Sequence, residues 1–221
     1  MTCDLYCIEE DEPRVAEQMD RVAGGRSVLL ASRSPRRRLL LERAGFAHDA
    51  EHPGFDDAVL QPGAVSPDEW VMALAYLKAW ARALEAAPGR VVVGADTACL
   101  LDGTLVGTPR DENEARSMLR SFANRAHDVV TGVALVESGT GRRRMFAERA
   151  TVRFGELSDD AIDRYVATRA WEGKAGAYNL AERLDAGWPI EFQGEDSTIM
   201  GLPLTRLTRE YEAFIRGEQA A

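Results

Sequence analysis

The stretch from Ser27 to Leu41, S-V-L-L-A-S-R-S-P-R-R-R-L-L-L, changes character three times and leaves few ways to fold. An apolar run ends at the hydroxyl residues Ser32 and Ser34, a proline follows, then three successive arginines, then leucines. The pattern predicts a strand, a tight loop, and a helix that starts within a cationic cluster. Ser34 stands where a hydroxyl caps a helix, and Pro35 suits the first helical position because it has no N–H to leave orphaned. Free N–H groups at a helix start attract anions, and arginines there add charge and forked donors. Arginine at that end opposes the helix dipole, so three in a row call for an anion or acidic neighbours. A solvated basic helix face is the plainer alternative.

The rest of the chain supports a small anionic ligand over a polyanion. Across 221 residues the net charge is −9, which argues against a nucleic-acid coat and against an anionic membrane surface. No aromatic residues flank the arginines as a single-stranded nucleic-acid binder would want. Cys3, Cys7 and Cys99 form no disulfide or zinc framework, so a reducing, cytoplasmic setting is expected. No apolar run reaches transmembrane length, and the N-terminus is acidic where a signal peptide would be basic.

Residues 1–26 read as an appendage, partly helical from Glu12 to Val22, and residues 27–217 as a single domain. Helices are expected from Pro35 to near Gly45, from the Ser66-Pro67-Asp68-Glu69 capping box to about Ala86, from Asp111 to Phe122, from Ser158 to about Thr168, and from Leu204 to Arg216. Strands are expected over Val91–Leu101, Thr104–Gly107, His127–Glu137 and Arg144–Phe154, with Asp102-Gly103 as a hairpin turn. His48 to Gln61 reads as irregular, and Gly173 to Met200 as mixed with short strands. Alternating strands and helices with a hairpin give an α/β fold on a mixed sheet.

Chemistry is expected where polar residues break these patterns. In V-V-V-G-A-D-T-A-C-L-L, Asp96 interrupts a strand apolar enough to be buried on both faces, so it must meet a cation, a metal or donors, unless it lies at an exposed strand end. Lys78 falls in register with Val71, Leu74 and Ala81 on an apolar helix stripe. It either snorkels past that stripe or reaches a phosphate or Asp96. Asp56-Asp57 is a solvated turn pair or a source of oxygen ligands for Mg²⁺ or Mn²⁺. His48 and His52 precede Pro53-Gly54 and do not share a helix face, and His127 reads as a structural hydrogen-bonding residue.

Taken in order, these features resemble the Maf family of nucleoside triphosphate pyrophosphatases. The resemblance runs through L-A-S-R-S-P-R-R-R-L-L at Leu30–Leu40, a loop acid at Asp57, and the helical segment Leu74–Ala79 with Lys78 as its lysine. It continues through G-A-D-T at Gly94–Thr97, His127–Val133, K-A-G-A-Y at Lys174–Tyr178, and G-L-P-L at Gly201–Leu204. It implies an elongated mixed sheet with flanking helices and two lobes around a central cleft, a Maf/inosine triphosphatase-like fold. It also implies metal-dependent hydrolysis of a nucleoside triphosphate, non-standard or pyrimidine, to a monophosphate and pyrophosphate, and often a homodimer. The family's G-K-P is Gly107-Thr108-Pro109 here, its D-K-A-G is Gly173-Lys174-Ala175-Gly176, and the glutamine of the pyrimidine subgroup aligns with Ala181. Arg110 is a candidate replacement for the missing lysine charge.

By this resemblance Ser32, Ser34, Arg36, Arg37 and Lys174 bind phosphates, and Asp96 with Lys78 is catalytic. Arg33 and Arg38 fall at variable positions. Asp57 and Asp96 hold a divalent cation, Mg²⁺, Mn²⁺ or Co²⁺. A carboxylate among cations is a weak base, so activation of the attacking water by the metal is expected. The alternative, motivated by Thr108, is a nucleotide-binding regulatory module of cell division with weak or no catalysis.

Overall fold

The computed structural model describes residues 27–54 and 60–218. The expected appendage over 1–26, with Cys3 and Cys7, and the Asp56-Asp57 pair lie outside the described residues.

Within them the chain forms seven strands and seven α-helices. β1 (Val28–Ala31) leads into α1 (Pro35–Arg43), β2 (His48–Glu51) and α2 (Pro67–Ala83). Next come β3 (Val91–Leu101), β4 (Thr104–Val106), α3 (Glu112–Phe122), and the long hairpin β5 (Ala126–Glu137) and β6 (Arg143–Phe154). The chain closes with α4 (Asp159–Ala167), α5 (Leu180–Asp185), β7 (Ile190–Gln193), α6 (Asp196–Ile199) and α7 (Leu204–Ile215). The sheet order is β2-β1-β3-β5-β6-β7, with β4 paired to β3. β1 runs parallel to β2 and β3, and the other pairs are antiparallel, so the sheet is mixed as expected.

Two readings are corrected. His48–Glu51, read as irregular, is an edge strand parallel to β1. Its H-D-A-E sequence lacks β-branched residues, and backbone pairing with the apolar β1 overrides that weak propensity. Gly173–Met200 holds one short strand and two short helices, because Asn179 caps α5 through its side chain, which accepts from the Glu182 N–H.

The apolar residues form separate cores at the two ends of β3 and β5. At one end Val93, Ala95, Val133 and Leu135 pack with Leu41 of α1 and Tyr211 of α7. At the other, Cys99 and Val129 pack with Leu119 and Phe122 of α3, Phe154 and Ile162. Each fully buried leucine or phenylalanine contributes roughly 1.5–3 kcal/mol.

Helix α2 packs against the opposite face of the sheet with small residues, Ala75, Ala79 and Ala83. The approach is close enough to require glycine beneath it. A Cβ on Gly94 would stand 2.1 Å from the Ala75 carbonyl oxygen, and one on Gly132 would stand 2.4 Å from the Val71 carbonyl carbon. This contact brings the middle of α2 down onto the strand position of Asp96.

Candidate active site

The loop between β1 and α1 carries the Ser32 and Ser34 hydroxyls, and the first turn of α1 carries the Arg36 and Arg37 guanidinium groups. Ser32 is buried. Its Oγ accepts from the Ser34 N–H at 3.2 Å and from Arg37 Nη1 at 3.4 Å. Ser34 takes the N-cap position of α1, but its hydroxyl makes no capping bond, contrary to expectation. The start of α1 therefore keeps its donors for another acceptor, and Ser34 lines the cavities in front of it.

The two arginines differ. Arg37 is bracketed: its Nε donates to the Gly201 carbonyl at 2.8 Å, and its Nη2 donates to Thr97 Oγ1 at 3.1 Å. Thr97 Oγ1 lies 2.9 Å from Thr131 Oγ1, which donates to the Thr198 carbonyl at 2.8 Å. This buried polar chain ties α1, β3, β5 and α6 together beneath the site. Arg36 is half-buried and has no hydrogen bond or ion pair among the described residues, so its forked donors remain available for a ligand. Arg33 and Arg38 are exposed, in keeping with the variable positions they occupy.

Two adjoining cavities meet at these side chains. One, of 360 Å³, is lined by Ser32, Ser34, Arg36, Arg37 and Lys78. The other, of 240 Å³, shares Ser34, Arg36 and Arg37 and adds Asp96, Tyr178 and Asn179. Lys78 Nζ donates to Asp96 Oδ1 at 2.6 Å, with both side chains largely buried. The lysine that broke the helix stripe and the acid that broke the strand are thus partners, one facing each cavity.

Aromatic packing backs the second cavity. His127 Nε2 lies 2.8 Å from the Tyr178 hydroxyl, and the imidazole stacks on Phe122 at 4.1 Å. Burial lowers His127 to about 4, so it sits neutral and structural, as its sequence position suggested. Burial also pushes the Cys99 thiol in the same wall up to about 12, which leaves it unreactive.

The structure brings Ser32, Ser34, Arg36, Arg37, Lys78 and Asp96 together. Lys174 stands apart: it lines neither cavity, and its ammonium pairs with Glu182 at 2.5 Å. Gly173 takes the place of the acid expected beside that lysine, and Glu182 supplies the carboxylate from α5. Asp57 lies outside the described residues. Thr108 lines the second cavity, and Arg110 does not replace the missing lysine, since its exposed side chain pairs with Glu114 on α3. Sequence reasoning missed Asn179; the signal was the N-x-x-E start of α5, a capping pattern directly after K-A-G-A-Y.

Among the described residues no three His, Cys, Asp or Glu side chains gather to hold a metal. Asp96 and the Ser34 hydroxyl, which line one cavity, are hard oxygen donors of the type Mg²⁺ and Mn²⁺ take, whereas the Thr97 hydroxyl is engaged by Arg37 and Thr131. Among the described residues no helix is long and apolar enough to cross a membrane.

A family profile described as Maf-like protein matches residues 27–214. A dTTP/UTP pyrophosphatase of Pelotomaculum thermopropionicum is 39% identical over 191 residues, covering 86% of this chain and 97% of that one. Proteins of the same name from Bacillus cytotoxicus and Salinibacter ruber are each 38% identical, covering 87% and 84% of this chain and 98% and 90% of theirs. Among solved structures, a nucleoside-triphosphatase / dITP/XTP pyrophosphatase of Mycobacterium abscessus aligns with 60% of this chain and 76% of its own at 15% identity and a TM-score of 0.41, too loose a likeness to add to the sequence matches.

Proposed function

The chain belongs to the Maf family, and from that membership and the geometry of its cavities we propose that it hydrolyses dTTP and UTP to the nucleoside monophosphate and pyrophosphate. Removal of surplus pyrimidine triphosphates is a house-cleaning activity. The observation that carries the reading is the meeting of two cavities at Arg36, with the Lys78–Asp96 pair between them.

The triphosphate occupies the arginine-lined cavity. The free donors of α1, the Ser34 hydroxyl, Arg36 and Arg37 neutralise and orient it, with Lys78 beside them. The base enters the second cavity against Tyr178 and Leu180. Asp96 orients a water and takes its proton as the water oxygen bonds to the α-phosphorus. The bond from that phosphorus to the α–β bridging oxygen breaks, and pyrophosphate leaves with the electron pair. Lys78 fixes the Asp96 carboxylate in place. A divalent cation held by Asp96, and by Asp57, would neutralise phosphate charge and favour ionisation of bound water.

A pyrophosphate-release assay across a nucleotide panel with Mg²⁺, Mn²⁺ and Co²⁺ tests the reading. The expected result is pyrophosphate from UTP and dTTP. Saturable nucleotide binding without turnover would instead favour a regulatory module, for which Thr108 in place of a phosphate-side lysine is the motive.

A further inference from the structure

We infer that Asn179 reads the pyrimidine edge and makes the enzyme prefer bases with a carbonyl at position 4, uracil and thymine, over cytosine; the inference rests on the function proposed above. Asn179 is 7% exposed and lines the same cavity as Arg36 and Asp96, but from the opposite lobe. A nucleotide whose phosphates lie at Arg36 therefore extends its base towards it. The orientation of the amide is fixed by chemistry. Its Oδ1 accepts from the Glu182 N–H at 3.1 Å as the cap of α5, and a backbone N–H can only be met by the oxygen. The Nδ2 group is left as the free end, and among the described residues it donates to no protein acceptor.

A cavity-lining amide whose oxygen is already committed to a backbone N–H offers a ligand its NH₂, and so selects for acceptors. Uracil and thymine carry O4 there. Cytosine carries an amine, which sets donor against donor and leaves both unpaired. Sites built to bond one partner reject the mismatched one strongly, because the buried polar groups lose their hydrogen bonds. Tyr178, beside Asn179, does not compete for the role, since its hydroxyl is engaged with His127.

The test compares kcat/KM for UTP and CTP in the full chain. Asn179→Asp keeps the cap, because aspartate caps as well as asparagine, but replaces the donor by an acceptor. With about tenfold for each hydrogen bond lost or gained, the UTP:CTP ratio should fall by about a hundredfold. Asn179→Ser also keeps a capping hydroxyl and removes the NH₂, so the ratio should fall about tenfold through loss of UTP alone. Arg36→Ala, a phosphate contact, should weaken both nucleotides and leave the ratio where it was. Thermal unfolding of each variant confirms that it folds, and should Asn179→Asp fail to fold, Asn179→Ser decides. A UTP:CTP ratio unmoved in the folded Asn179 variants overturns this inference while leaving the pyrophosphatase reading intact. A wild-type chain that releases pyrophosphate from no nucleotide overturns that reading instead.

Discussion

Arg36 and Arg37 are adjacent and identical in type, yet their surroundings give them different work. Arg37 spends its nitrogens on the Gly201 carbonyl, Thr97 and Ser32, which lie in three separate parts of the chain. A lysine cannot reproduce that fork. Arg37→Lys should therefore lower stability by about 2 kcal/mol, through the partners it leaves unsatisfied, and lower activity with it. Arg36→Lys should leave stability within about 0.5 kcal/mol of wild type and raise KM for every triphosphate. Chemical denaturation and initial rates on both variants check the contrast, and equal destabilisation would refute it. The sequence marked both arginines, but the bracket joins residues 60 and 164 positions apart, and no local pattern encodes such a crossing. His127 makes a second residue-scale prediction. Burial lowers it from 6.5 to about 4, so the folded state holds it neutral. Below about pH 6.5 the unfolded chain takes up a proton that the folded chain refuses, and this stability is lost as pH falls towards about 4. Between pH 7 and pH 5 the loss should be about 2 kcal/mol. Denaturation of wild type and His127→Gln at both values isolates it; a wild-type-minus-variant difference that stays flat would contradict the assignment.

At the scale of elements, α2 and β3 bring Lys78 and Asp96 into an ion pair because small residues let them touch. Lys78 and Asp96 were each legible as a polar residue in an apolar pattern. Their pairing was only one of several partners open to each, and the contact of Ala75 and Ala79 with Gly94 decides it. Gly94→Ala puts a methyl 2.1 Å from the Ala75 carbonyl oxygen, a backbone atom that can yield only by lifting the helix. We expect a loss of about 3 kcal/mol in stability and a larger fall in activity than that loss explains, since Lys78 moves off Asp96. Far-ultraviolet circular dichroism with parallel rate measurements checks this, and wild-type rates in the variant would refute the coupling. The strong helices and the long hairpin were legible because caps and apolar runs are local signals. β2 was not, because a short polar edge strand owes its form to the neighbour it pairs with. Lys174 belongs to the same lesson: its motif was readable, but its partner Glu182 sits on a helix whose position depends on the fold.

Across the whole molecule, β3 and β5 run through both cores and hold the two halves of the site in one frame. The first core presents α1 and its arginines, and the second presents Tyr178 and Asn179 across the cavity. The resemblance anticipated two lobes and a cleft, and the −9 charge with a local basic loop anticipated a small anion. The two adjoining cavities required the structure, because the lining they share, Ser34, Arg36, Arg37 and Gly173, comes from distant parts of the chain. The account stands on attack of water at the α-phosphorus with Asp96 taking the proton, and hydrolysis of UTP in isotopically labelled water tests it most directly. The predicted result is label in the monophosphate, none in the pyrophosphate, and turnover in Asp96→Asn reduced by about a hundredfold or more while UTP still binds. Label in pyrophosphate or orthophosphate, or near-normal turnover in Asp96→Asn, would contradict it.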